Sequence, residues 1–137
     1  MSDIGTPPEG IGPHEDRELE LMLIGKKPLA MFGDAVSSDY EVPEADFAPY
    51  VSDGTFVRRE MVYLPPEPEP AIRTVYFARA GEEWRIEAMH RIKQRLFVYK
   101  EPISLETERE IGRLLGYADS DINSYLEWIG LKGSSHI

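Results

Sequence analysis

Between residues 55 and 79 apolar positions tend to alternate with polar ones, and after residue 82 they recur every three or four residues. The first pattern predicts strands and the second predicts helices. Thr55–Leu64 and Ala71–Arg79 are rich in β-branched and aromatic side chains, the composition of a pleated, half-buried surface. They flank "PPEPEP", Pro65 to Pro70. Proline lacks the N–H that a ladder needs, so this stretch cannot be strand. A domain linker would need a change of composition across it and a complete core on each side, and neither is present. Two strands alone cannot bury their faces. The stretch is therefore read as an exposed hairpin loop. If Leu64 faces Ala71, one sheet face collects Val57, Arg59, Met61 and Tyr63 with Ile72, Thr74, Tyr76 and Ala78. This mostly apolar face is expected to meet the core. The other collects Phe56, Arg58, Glu60, Val62 and Leu64 with Arg73, Val75, Phe77 and Arg79, with Glu60 diagonal to Arg73. It is expected to be amphiphilic, with three arginines beside Phe56 and Phe77.

Three amphipathic helices are predicted after the hairpin, over about 82–100, 105–115 and 120–129. On the first, Arg85, Met89, Ile92, Leu96 and Tyr99 make a stripe with Ala88 beside it. Ser104 is placed to cap the second and Gly116 to end it. The third carries Ile122, Tyr125, Leu126 and Ile129 at i, i+3, i+4 and i+7, and Gly130 is expected to stop it. Ahead of the hairpin, Leu19, Met22 and Leu23 fit a helix over 15–24, although Leu19, Leu21 and Leu23 also alternate as in a strand. Acids in the first turn and Gly25 at the end favour helix. Leu29–Phe32 reads as a short buried strand closed by a Gly33–Asp34 turn. Pro43 opens a short helix that buries Phe47 and Tyr50 or Val51. Strands followed by helices give an α+β fold: a small antiparallel sheet, hairpin 55–64/71–79 plus strand 29–32, against three C-terminal helices. Residues 1–13, with three Gly and three Pro, are read as a flexible arm, and 14–137 as a single globular domain.

Composition narrows the function classes. A chain of 137 residues with 42% hydrophobic content can build one core. It has no cysteine, hence no thiolate metal site, disulfide or cysteine nucleophile, which fits the cytoplasm. No apolar run approaches the ~20 residues that span a bilayer. The net charge of −10 repels nucleic acid and anionic membranes, so neither is expected as a direct partner. The acid is concentrated at the chain ends, with −5 over 1–22 and −3 over 104–137, while 80–103 carries +1.

No motif names a reaction. Glu87 and His90 form an E-x-x-H pair, but the other histidines, His14 and His136, lie near the ends. His90 falls off the expected stripe and is read as a solvated surface residue. "HEDRE" at His14 lacks the second histidine of a zinc helix, and no Gly-Ser stretch ends as a phosphate loop does. No cofactor and no metal are expected. Lys26–Lys27 and Arg58–Arg59 are paired cations. Arg58, Arg73 and Arg79 could together grip a phosphate or carboxylate by bidentate contacts. Trp84, at a helix start, is expected in the core. Trp128 lies off its helix's stripe and, with Tyr125, is a candidate interface anchor.

The expectation is a small acidic, non-enzymatic protein-binding or regulatory protein: an inhibitor, an immunity-type protein or a complex subunit. Its candidate contacts are Trp128, Tyr125, Arg58, Arg73 and Arg79, and the sequence leaves a homo-oligomer open. The rival is a small-molecule binder or small enzyme on the arginine-bearing face, with Tyr76 or His90 as proton donor. The third is a nucleic-acid mimic, which needs an extended acidic ribbon on a folded surface.

Overall fold

The computed structural model describes residues 17–133, and only the backbone for 128–133. The expected flexible arm, His14 and His136 therefore lie outside the described residues. Helix α1 (Glu18–Leu23) leads into β1 (Leu29–Ala35), α2 (Glu44–Ser52), β2 (Phe56–Tyr63) and β3 (Ile72–Arg79). Then come α3 (Trp84–Lys93), which runs on as a π turn over Gln94–Val98, α4 (Leu105–Leu114) and α5 (Asp119–Gly133). The three strands are antiparallel in the order β1-β3-β2, so the fold is α+β, with a small sheet against C-terminal helices. No helix among the described residues is long and apolar enough to cross a membrane.

The hairpin register is the one set by Leu64 facing Ala71: Tyr63 pairs with Ile72 and Phe56 with Arg79. The core, however, lies on both sides of the sheet. On one side Leu29, Tyr76 and Ala78 meet Ile86, Met89 and Ile92 of α3 and Leu114 of α4. On the other, Ala30, Phe32, Phe56, Val75 and Phe77 meet Met22 of α1 and Phe47 of α2. Phe47 stacks on Phe77 with ring centroids 4.3 Å apart. The face expected to stay amphiphilic is thus roofed by α2, and Phe56 and Phe77 are buried beneath it. Acids in its first turn favour α2, and Gly54 (φ +86°) past its end keeps it short, whereas Pro49, expected to help limit it, lies inside the helix.

Four expectations are revised. Gly33–Asp34 is not a turn, because β1 continues to Ala35. Gly33 pairs with Thr74, and a Cβ there would lie 2.6 Å from the Thr74 hydroxyl oxygen, so the glycine serves close cross-strand approach. The expected stripe on α3 holds at Met89, Ile92 and Leu96, with Ala88 beside them, but Ile86 rather than Arg85 starts it and Tyr99 leaves it. Past Lys93 the chain widens into the π turn, where the Tyr99 N–H bonds to the Gln94 carbonyl, and Tyr99 ends 68% exposed. Trp84 is 55% exposed with the Arg85 guanidinium over its ring, because Ile86 takes the inward position in that first turn. Finally, α5 passes through Gly130 to Gly133. One glycine costs a helix only about 1 kcal/mol.

Candidate functional site

The arginines of the sheet face do not converge on an open site. Arg58 donates to Glu44 at 2.7 Å and to Glu60 at 2.8 Å. Arg73 donates to Glu60 at 2.8 Å and to Glu44 at 3.1 Å. Two cations and two carboxylates close a ring that ties the first turn of α2 to β2 and β3. Hydrogen bonds from Arg58, with help from Arg73, hold the Glu44 carboxyl below the usual range. Arg73 first and Arg58 second do the same for Glu60. Arg79 stands six residues from Arg73 along β3, about 20 Å at strand rise. Its guanidinium packs at Gly25, between α1 and β1.

Tyr76 and His90 come together on the opposite side of the sheet. The Tyr76 and Tyr63 hydroxyls are 2.6 Å apart, and the Tyr63 hydroxyl is 2.9 Å from His90 Nδ1. Both tyrosines are fully buried. Burial pushes their hydroxyls above the usual tyrosine range, the bond to Tyr63 adding to the effect at Tyr76 and the bond to Tyr76 opposing it at Tyr63. His90 is half-buried rather than solvated, since α3 turns it toward Tyr63. The sheet therefore separates the three arginines from the proposed proton donors.

The C-terminus of α4 gathers two cations. Arg85 donates to the Arg113 and Leu114 carbonyls at 2.9 and 3.2 Å. Lys27, 3% exposed, donates to the Leu115 carbonyl at 3.3 Å and lies 5.7 Å from the centre of the Tyr117 ring. These donors satisfy carbonyls that the helix end leaves open and complement its dipole. Burial lowers the Lys27 ammonium to about 8, against the opposing pull of Glu18. Gly116 (φ +94°) turns the chain here, where a Cβ would overlap Pro28.

Beside this junction α4, α5 and Tyr117 between them line an open cleft of about 290 Å³. Ser104 caps α4 by accepting from the Thr107 N–H at 3.1 Å, which sets where the helix begins. Gly112 lets Ile122 of α5 approach α4 closely, since a Cβ there would lie 3.0 Å from Ile122. Ile111, Leu115 and Ile122 supply apolar lining, and Glu108, Tyr117, Asp121 and Tyr125 supply polar groups. Burial raises the Glu108 carboxyl, and Lys93 on α3 draws it only part of the way back. Burial likewise lowers Lys93, against Glu108. The Tyr125 hydroxyl is raised by burial and then by the Glu108 charge.

Of the sequence candidates, Tyr125 alone lines this cleft, and the Trp128 side chain lies outside the described residues. Glu108 and Asp121 were missed. Glu108 stands three and seven residues ahead of Ile111 and Leu115, so a carboxylate on an apolar stripe was the available signal. Lys27 gave no such signal, because its burial depends on α4 arriving 88 residues later. Among the described residues no cluster of three or more His, Asp and Glu is placed to hold a metal ion.

No family model matches the chain, and no curated protein matches it. A crystal structure of the bacterial cysteine methyltransferase effector NleE aligns with a TM-score of 0.45 and 19% identity. The alignment covers 93% of this chain and 71% of that one. A likeness at this level carries no argument.

Proposed function

We propose that the protein is a small non-enzymatic binding protein that engages a protein partner through the α4–α5 cleft. The observation that carries this reading is the cleft itself: open, lined by Ile111, Leu115 and Ile122 together with two acids, and by Tyr125. The side chains that could have formed a reactive site are engaged elsewhere. Arg58 and Arg73 hold α2 to the sheet, and Tyr76 and His90 are joined through Tyr63 inside the fold. A mostly apolar lining with a few polar groups and an aromatic anchor is the usual composition of a small anchoring pocket. The test is affinity capture from native lysate at low and high salt, comparing the wild type with Tyr125→Ala and Asp121→Lys. Wild-type protein is expected to retain a stoichiometric partner in high salt, and both variants to lose it while keeping the wild-type thermal transition. Equal capture by both variants would remove the cleft from the interface.

A small-molecule binder is the second reading, favoured by the volume of the cleft, which is near the lower end of ligand pockets at about 300 Å³. A ligand screen by thermal shift separates the two. A compound that raises the transition of the wild type and leaves that of Tyr125→Ala unchanged would favour it.

A further inference from the structure

We propose that the α4–α5 cleft receives one lysine side chain presented by a basic partner protein. This rests on the binding reading above and names the group that enters. Among the described residues, the charged ones lining the cleft are Glu108 and Asp121, both acidic, from two different helices. The rings of Tyr117 and Tyr125 line the same space, and aromatic faces attract cations. Tyr117 already has one ammonium, that of Lys27, close to its ring. Ile111, Leu115 and Ile122 provide the apolar surface that a four-carbon stem covers well. Among the described side chains, Lys93 offsets the burial of Glu108 only in part, and Lys27, close to the Tyr117 ring, donates to the Leu115 carbonyl. A cation arriving from outside would complete the compensation of Glu108. Carboxylates and rings from separate elements line one small space, which suits a compact ammonium better than the planar fork of arginine.

The experiment is an NMR titration of the ¹⁵N-labelled full chain with N-acetyl-lysine methylamide and with its norleucine and arginine counterparts. The lysine probe is expected to shift the amides of Gly112, Ile122 and Tyr125 saturably. The uncharged norleucine probe should bind about tenfold more weakly. Glu108→Gln and Asp121→Asn, both isosteric, should weaken the lysine probe and leave the norleucine probe unchanged. Equal binding of lysine and norleucine, or tighter binding of arginine, would overturn the assignment. So would lysine shifts scattered over the acidic surface without saturation. If the probes fail while capture still depends on Tyr125, the lysine assignment falls and the binding reading stands. If Tyr125→Ala captures normally, the binding reading falls first.

Discussion

At the scale of single residues, the sequence told most where chemistry and periodicity agreed. The diagonal of Glu60 and Arg73 followed from the register alone, and the structure joins them at 2.8 Å. His90 shows where the reading stopped. A helical wheel drawn on Arg85 put it in solvent, whereas the true stripe on Ile86 turns it toward Tyr63. The resulting chain of hydroxyls is unequal in its links, and this gives a prediction. The Tyr63 hydroxyl bonds to both neighbours, while the one hydrogen bond of the Tyr76 hydroxyl among the described residues is to Tyr63. Tyr76→Phe leaves Tyr63 bonded to His90 and should cost about 1 kcal/mol. Tyr63→Phe strands the buried Tyr76 hydroxyl and should cost about 1–3 kcal/mol. Urea denaturation with an unchanged m-value measures both. The reverse order would mean that Tyr76, not Tyr63, is the residue on which the chain depends.

At the scale of elements, the helices, the hairpin and its loop were legible because each depends on local pattern and turn chemistry. The end of β1 and the end of α3 were not. Gly33 reads as a turn until Thr74 is placed opposite it, and no residue marks the π turn after Lys93. The docking of α4 was equally hidden, since it depends on Lys27 and Gly116 from distant parts of the chain. Lys27 makes that docking depend on pH. Its ammonium falls from 10.5 to about 8 on folding, so the folded state gives up the proton first. Below pH 8 both states hold it. Between pH 8 and 10.5 the unfolded chain binds more proton, so stability rises with pH, by up to about 3 kcal/mol. Lys93, also lowered, acts in the same direction, and the raised tyrosines begin to act against both above about pH 10. Lys27→Met should therefore show a shallower rise in denaturation midpoint from about pH 8 to about pH 10 than the wild type. Parallel profiles would mean that Lys27 keeps an ordinary proton affinity in the fold.

At the scale of the whole molecule, charge was legible and the cleft was not. The cleft exists only because α5 packs beside α4, with Ile122 against Gly112. The charge has a consequence for stability that the ion pairs would not suggest. Residues 1–16 hold four acids and no Lys or Arg, so the described residues carry −6 of the total −10. Against this repulsion stand ion pairs such as Arg95–Glu101 and Arg113–Asp119, with side chains about half exposed. Exposed pairs contribute about 0–1 kcal/mol each and weaken with salt. The Glu44–Arg58–Glu60–Arg73 ring has no net charge, so it does not offset the excess acid. Net repulsion should win, and NaCl raised from about 20 mM to about 0.5 M should raise Tm. A falling Tm would show that the pairs outweigh the excess charge. The same titration should lower the affinity for the partner without abolishing its capture, because a cationic anchor beside Glu108 and Asp121 is partly screened while the apolar lining of the cleft is not. Capture that weakens while Tm rises cannot be due to unfolding, and that opposition of signs ties the salt effect to the interface.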